Sequence, residues 1–140
     1  MKVSNIMVEN PVMVDPDTPC IKIARLMKKQ GIGSLVIEDN GKPIGIVTER
    51  DLVHRVLAEG VDPHECTAFQ ICSKPVIAVS IHADVDMAVD IMNDYNIRRI
   101  VVVDDKDKVV GILTTDDLSK QLRGMSEELA IKYLTISRRS

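Results

Sequence analysis

The chain has 140 residues, 45% apolar and 28% charged, and a formal net charge of −3. That apolar content supports a core of one compact domain or two small packed halves, whereas the acidic balance speaks against duplex nucleic acid, which proteins meet with a basic excess. Aromatic residues are limited to Phe69, Tyr95 and Tyr133, so single strands find no stacking platform and the core is built from Val, Ile, Leu, Met and Ala.

No apolar run is long enough to cross a membrane, and residues 1–5 lack the apolar centre of a signal peptide. The expected location is cytoplasmic, with no membrane partner. Cys20, Cys66 and Cys72 form no CxxC pair and read as reduced thiols, Cys20 as a small core hydrophobe. His64-Glu65-Cys66 with Cys72 lacks the four-ligand spacing of zinc, so no metal is expected.

In chain order, Val12-Met13-Val14 reads as a short strand. Thr18-Pro19 opens a helix, Thr18 as cap and Pro19 as its first residue; Ala24 and Met27 mark its buried stripe and Gly31 its end. Ser34–Ile37 and Ile44–Val47 form a hairpin around Asp39-Asn40-Gly41, a tight-turn signal. A second helix runs from Asp51 through Leu57 and ends at Gly60. Residues 61–69 are a short polar connection.

The order then repeats. Ile77-Ala78-Val79 is the strand, Asp84 caps a helix through Ala88, Val89 and Met92, and Asn96 ends it. Residues 100–103 and 109–113 form the hairpin around the polar turn 104–108. A helix runs from Asp117 through Leu122 and stops at Gly124. Both hairpins are apolar on both faces, so their strands are expected to be buried on both. Neither half buries enough surface alone. The expected fold is α+β: two β-α-β-β-α repeats packed sheet to sheet with pseudo-twofold symmetry, bounded at 1–66 and 67–124. A C-terminal helical extension, 125–140, has Ser126 as cap, Glu127 and Glu128 in its first turn, and Leu129, Tyr133 and Ile136 on one face with Ala130 and Leu134 beside them. It either packs back on the domain or joins two subunits.

Each half contains one stretch of the same form: Gly45-Ile46-Val47-Thr48-Glu49-Arg50-Asp51 and Gly111-Ile112-Leu113-Thr114-Thr115-Asp116-Asp117. A β-branched run that stops at Thr and restarts as a polar helix opening is a strand-to-helix junction. Its Thr and Asp suit two purposes. They cap a helix, or they hold a ligand's hydroxyls, a carboxylate accepting from both members of a ribose diol. Helix-start N–H groups near residues 49–51 are expected to be free for an anion. The residue types leave cap and ligand both open.

Two copies of Gly-apolar-apolar-Thr-x-x-Asp in two matching halves resemble the CBS-domain family, named for cystathionine β-synthase, over residues 3–122. The resemblance implies a regulatory module that binds adenosine-containing ligands in clefts between repeats. It also implies a homodimer that signals by conformational or oligomeric change to an effector protein. The principal cleft would combine Thr48, Arg50 and Asp51 with Val76, Ile77, Ile97, Arg98 and Arg99, where guanidinium groups grip phosphate. The second would combine Thr114 and Asp117 with Val12, Met13, Ile32, Gly33 and Ser34. It has no cation, and Asp116 adds negative charge. An adenine nucleotide (AMP, ADP or ATP) is therefore expected at the first. The competing, secondary reading of Arg98 and Arg99 is a solvated pair at a strand entry or a salt bridge to Asp94 or Glu49.

No catalytic role is expected. His54, His64 and His82 have no nucleophile at a dyad spacing, and neither a P-loop nor GxGxxG occurs. No cofactor is required, the nucleotide being a regulatory ligand. Lys132, Arg138 and Arg139 are too few for nucleic acid. The alternatives are a non-catalytic dimeric interaction scaffold and a binder of S-adenosylmethionine or another adenosine ligand.

Overall fold

The structure, a computed structural model, describes residues 1–121, 131, 132 and 134–136. The readings at Leu122, Gly124, Ser126, Glu127, Glu128, Leu129, Ala130 and Tyr133 lie outside the described residues. The fold is mixed α+β with two sheets, and the chain divides into two compact units.

The first unit is Pro11–Val76. Strands β2 (Met13–Val14), β3 (Ser34–Asp39) and β4 (Lys42–Thr48) form its sheet in the order β2-β3-β4. The β2–β3 pair is parallel and the β3–β4 pair antiparallel. At the hairpin, Asn40 and Gly41 both have positive φ (54° and 82°), the backbone a primed turn requires. Helix α1 (Cys20–Gln30) ends at Gly31 in the left-handed region. Helix α2 (Glu49–Leu52) continues as a π turn over Val53–Leu57, closed by the Ala58 N–H donating to the Val53 carbonyl at 2.8 Å. Helix α3 (Ala68–Ile71) begins at the end of the segment 61–69 expected to be a polar connection and runs two residues beyond it. Thr67 and Gln70 form a capping box there, and Ala68 and Ile71 are buried. The core joins Cys20, Ile23, Leu35, Ile37, Val47, Ala68 and Ile71.

The second unit joins Met1–Asn10 to the chain from Ile77 onward. Strands β1 (Val8–Glu9), β5 (Ala78–Ser80), β6 (Arg99–Val103) and β7 (Val109–Thr114) lie in the order β1-β7-β6-β5. Helix α4 (Val85–Tyr95) ends at Asn96, again left-handed, and α5 (Thr115–Lys120) follows β7. Its core contains Val3, from a 3-10 turn over Val3–Asn5, with Val85, Val89, Met92, Ile100, Leu113, Leu118 and Ile136. Ile136 is fully buried there, and Lys132 pairs with Asp90. The described part of the C-terminal extension thus packs back on its own chain.

Each unit takes a lead-in segment that the sequence repeat assigns to the other half. In the first unit, Ser73 bridges Ile46 of β4, and the Cys66 carbonyl accepts the Cys20 N–H at 2.9 Å. In the second, Val8 pairs with Ile112 of β7, and the Met1 carbonyl accepts the Val85 N–H at 2.8 Å. These carbonyls satisfy helix-start donors that a cap would otherwise have to meet. Thr18 is therefore not the cap of α1. It is buried in a turn, its hydroxyl donating to Asp15 Oδ1 at 3.2 Å, and Pro19 occupies the cap position with no side-chain bond. Asp84 does stand at the α4 cap position, but its carboxylate faces Lys2 Nζ at 3.5 Å instead of the helix.

Candidate functional site

Both copies of the repeated stretch fold identically at the strand-to-helix junction. Thr48 Oγ1 accepts the Asp51 N–H at 3.1 Å while Asp51 Oδ2 accepts the Thr48 N–H at 2.9 Å. Thr114 Oγ1 accepts the Asp117 N–H at 3.2 Å and Asp117 Oδ2 accepts the Thr114 N–H at 2.9 Å. This reciprocal box needs a short acceptor at the cap and a carboxylate three residues on, which is the spacing the sequence repeats. Of the helix-start N–H groups expected to be free, those of Glu49 and Asp51 are taken. The Gly33 carbonyl takes the Glu49 N–H, and Thr48 takes that of Asp51. In the second unit the Arg98 carbonyl takes the Thr115 N–H. In both units the first helical N–H is thus taken by the residue just before the partner strand of the hairpin, and the third by the cap threonine.

The two aspartates differ in their remaining oxygen. Asp51 is 7% exposed. Its Oδ1 accepts from the Ser73 hydroxyl at 3.3 Å and lies 3.9 Å from Arg55 Nε. Arg55 Nη1 also donates to the carbonyls of Ile71 and Cys72, both at 3.0 Å, bracing the segment that carries Ser73. Asp117 is half-buried, and Thr114 Oγ1 donates to its Oδ2 at 3.0 Å. Among the described residues, Asp117 Oδ1 accepts no hydrogen bond. Arg55 and Ser73 stand outside the residues singled out from sequence. The Asp51–Arg55 spacing of four was a legible signal; the Ser73 contact spans 22 residues and was not.

The other expected site residues divide between the units. The first holds Val12, Met13, Ile32, Gly33, Ser34, Arg50 and Val76, and the second holds Ile77, Ile97, Arg98 and Arg99. Ser34 pairs with Thr48 across the first hairpin, and Arg99 pairs with Thr114 across the second. Arg50 and Arg98 are exposed, and Arg99 is half-buried. Ile32 and Gly33 line an open hollow of about 490 Å³ with Met27, Glu49 and Leu52. Burial raises the Cys72 thiol above its ordinary range, and the nearby Asp51 carboxylate adds to the rise although Lys74 opposes it. Among the described residues, no three His, Cys, Asp or Glu side chains are grouped to hold a metal, and no helix is long and apolar enough to cross a membrane.

A duplicated strand-helix-hairpin-helix unit with a Thr-x-x-Asp box in each copy defines a tandem-repeat module. The family model described as "CBS domain" matches residues 3–58 and 68–124, and the chain belongs to that family. Both matched spans open on a lead-in turn, at Val3 and at Ala68. The chain is 45% identical over 104 residues to the uncharacterized protein MK0525 of Methanopyrus kandleri, covering 74% of this chain and 53% of that one. It also matches the CBS-domain protein TA0289 of Thermoplasma acidophilum (TM-score 0.82, 29% identity, 99% of this chain and 76% of that one). A further match is the CBS domain pair of protein MJ0100 in complex with 5′-methylthioadenosine and S-adenosyl-L-methionine. There the TM-score is 0.78 at 31% identity, covering 89% of this chain and 97% of that one. The chain spans about half the length of the M. kandleri relative, and 63% and 42% of two Methanocaldococcus jannaschii proteins it matches.

Proposed function

We propose that the chain is a regulatory ligand-binding module for an adenosine-containing molecule, with Asp51 and Asp117 receiving ribose hydroxyls. The observation that carries this reading is the paired box: two carboxylates held at one oxygen by a threonine N–H, with a second oxygen turned elsewhere. The 31% identical MJ0100 pair, whose complex contains two adenosine derivatives, supports the ligand class. The finer reading is an adenine nucleotide whose phosphates meet Arg98, Arg99 and Arg50, the adenine resting on Val76, Ile77 and Ile97. Binding would act by favouring one conformation or assembly of a homodimer, by no more than its differential affinity for the two states, and an effector protein would read the change.

The MJ0100 complex also favours a second reading, an adenosine ligand without phosphate. Thermal unfolding with AMP, ATP, adenosine, S-adenosylmethionine and NAD separates the readings. A ligand at a hundred times its Kd stabilises by about 2.7 kcal/mol, a shift of several degrees in Tm. The nucleotide reading expects AMP or ATP to exceed adenosine, with Arg99→Ala weakening AMP more than about tenfold, or 1.4 kcal/mol, while leaving adenosine unchanged. Equal AMP affinity in wild type and Arg99→Ala removes the phosphate assignment. A flat response to every compound leaves the interaction scaffold.

A further inference from the structure

We infer that the Ser73 hydroxyl competes with a ribose for Asp51 and makes the two ribose acceptors unequal. A ribose reaches Asp117 on an oxygen that no side chain among the described residues occupies. At Asp51 it competes with the Ser73 hydroxyl. This rests on the reading that these aspartates receive a ribose, and it adds what distinguishes them.

The internal repeat supplies the comparison. Ile46 of β4 and Ile112 of β7 stand two residues before the motif threonines, Thr48 and Thr114. Across from Ile46 the bridged residue is Ser73, and across from Ile112 it is Val8. Ser73 and Val8 therefore occupy one register position in the two units. A serine there carries a donor, and Ser73 uses it on Asp51 Oδ1 at 3.3 Å. A valine has none, so Asp117 Oδ1 is left without a partner among the described residues. The position four residues after the aspartate differs in the same sense. Arg55 lies 3.9 Å from Asp51 Oδ1 and is anchored on the Ile71 and Cys72 carbonyls, whereas its counterpart is Gln121, a neutral side chain.

A carboxylate oxygen that accepts an internal hydroxyl has less acceptor capacity for a ligand's diol, and that diol must share or displace it. Ligand entry at Asp51 thus disturbs the segment Ile71–Ser73, and entry at Asp117 has no such consequence.

The test uses adenosine, which carries no phosphate, in titration calorimetry on the full chain. Asp117→Asn isolates the Asp51 site, and Ser73→Ala in that background is expected to tighten adenosine about three- to tenfold, the equivalent of one released hydrogen bond. Ser73→Thr keeps the hydroxyl and is expected to retain the parent affinity. The reciprocal arm is Val8→Ser on Asp51→Asn, expected to weaken adenosine at Asp117 by a like factor. A purely structural Ser73 would give weaker binding in Ser73→Ala, and that result, or an unchanged affinity in both arms, overturns the inference while wild-type binding stands. Ser73→Val, which copies the other unit's residue, repeats the test should the alanine variant fold poorly. Absence of adenosine heat in wild type and all variants removes the ribose reading and this inference with it.

Discussion

Cys20 shows how burial of one side chain sets a pH window. It is fully buried, and burial with the adjacent Cys66 thiol pushes its pKa from 9.0 up to about 12. The folded chain keeps the proton where the unfolded chain has lost it. The stability tied to Cys20 is therefore whole below pH 9 and lost progressively as pH rises toward 12. Thermal melts across that interval are expected to fall more steeply for wild type than for Cys20→Ala, and parallel slopes would remove the assignment. The same burial keeps the thiolate fraction low, so native protein at pH 8 is expected to react with alkylating reagents far more slowly at Cys20 than unfolded protein does.

The two motif glycines make a sharper case for elements than for ligands. A Cβ on Gly45 would stand 2.8 Å from Cys72 Sγ and 2.9 Å from the Ser73 carbonyl. A Cβ on Gly111 would meet the Met7 thioether and, at 3.1 Å, the Val8 carbonyl. Both glycines are small because a lead-in segment crosses the strand there. Met7 ends in a flexible thioether that can turn aside, whereas Gly45 faces backbone. Gly45→Ala is expected to cost about 1–3 kcal/mol by overpacking, and Gly111→Ala less, measured by denaturant midpoints; the reverse order would show that Met7 cannot yield. Sequence patterning carried the local part of this fold. The hairpin turn at Asn40-Gly41, the left-handed ends at Gly31 and Asn96, and the Thr-x-x-Asp boxes each depend on residues close in the chain. It could not reach what depends on distant backbone. Thr18 looked like a cap because the Cys66 carbonyl that serves α1 lies 46 residues away. The contact of Ser73 with Asp51 is illegible for the same reason, since it requires the lead-in segment to be placed first, whereas Arg55 stands only four residues from Asp51.

At the scale of the molecule, the sequence repeat and the packing unit are different objects. The family match begins at Val3, yet Val3 is fully buried in a core otherwise drawn from residues 79–136. Residues 1–10 also supply β1 to the sheet of β7, the Met1 carbonyl to the start of α4, and Lys2 to Asp84. Losing them removes a buried valine, worth about 1.5–3 kcal/mol, together with an edge strand and a helix-start acceptor. The first unit takes its own lead-in from Ala68–Ser73 and keeps every such contact. A chain beginning at Pro11 is therefore expected to lose amide hydrogen-exchange protection first in the second unit, at Ile100, Val101 and Leu113. Leu35, Val36 and Val47 in the first unit should exchange much as before, because protection follows the local opening free energy. Val3→Ala should reproduce the pattern at smaller amplitude, since it removes only the side chain. Loss of protection concentrated in β3 and β4 would show that residues 1–10 support the repeat they precede in sequence, contrary to the packing described above.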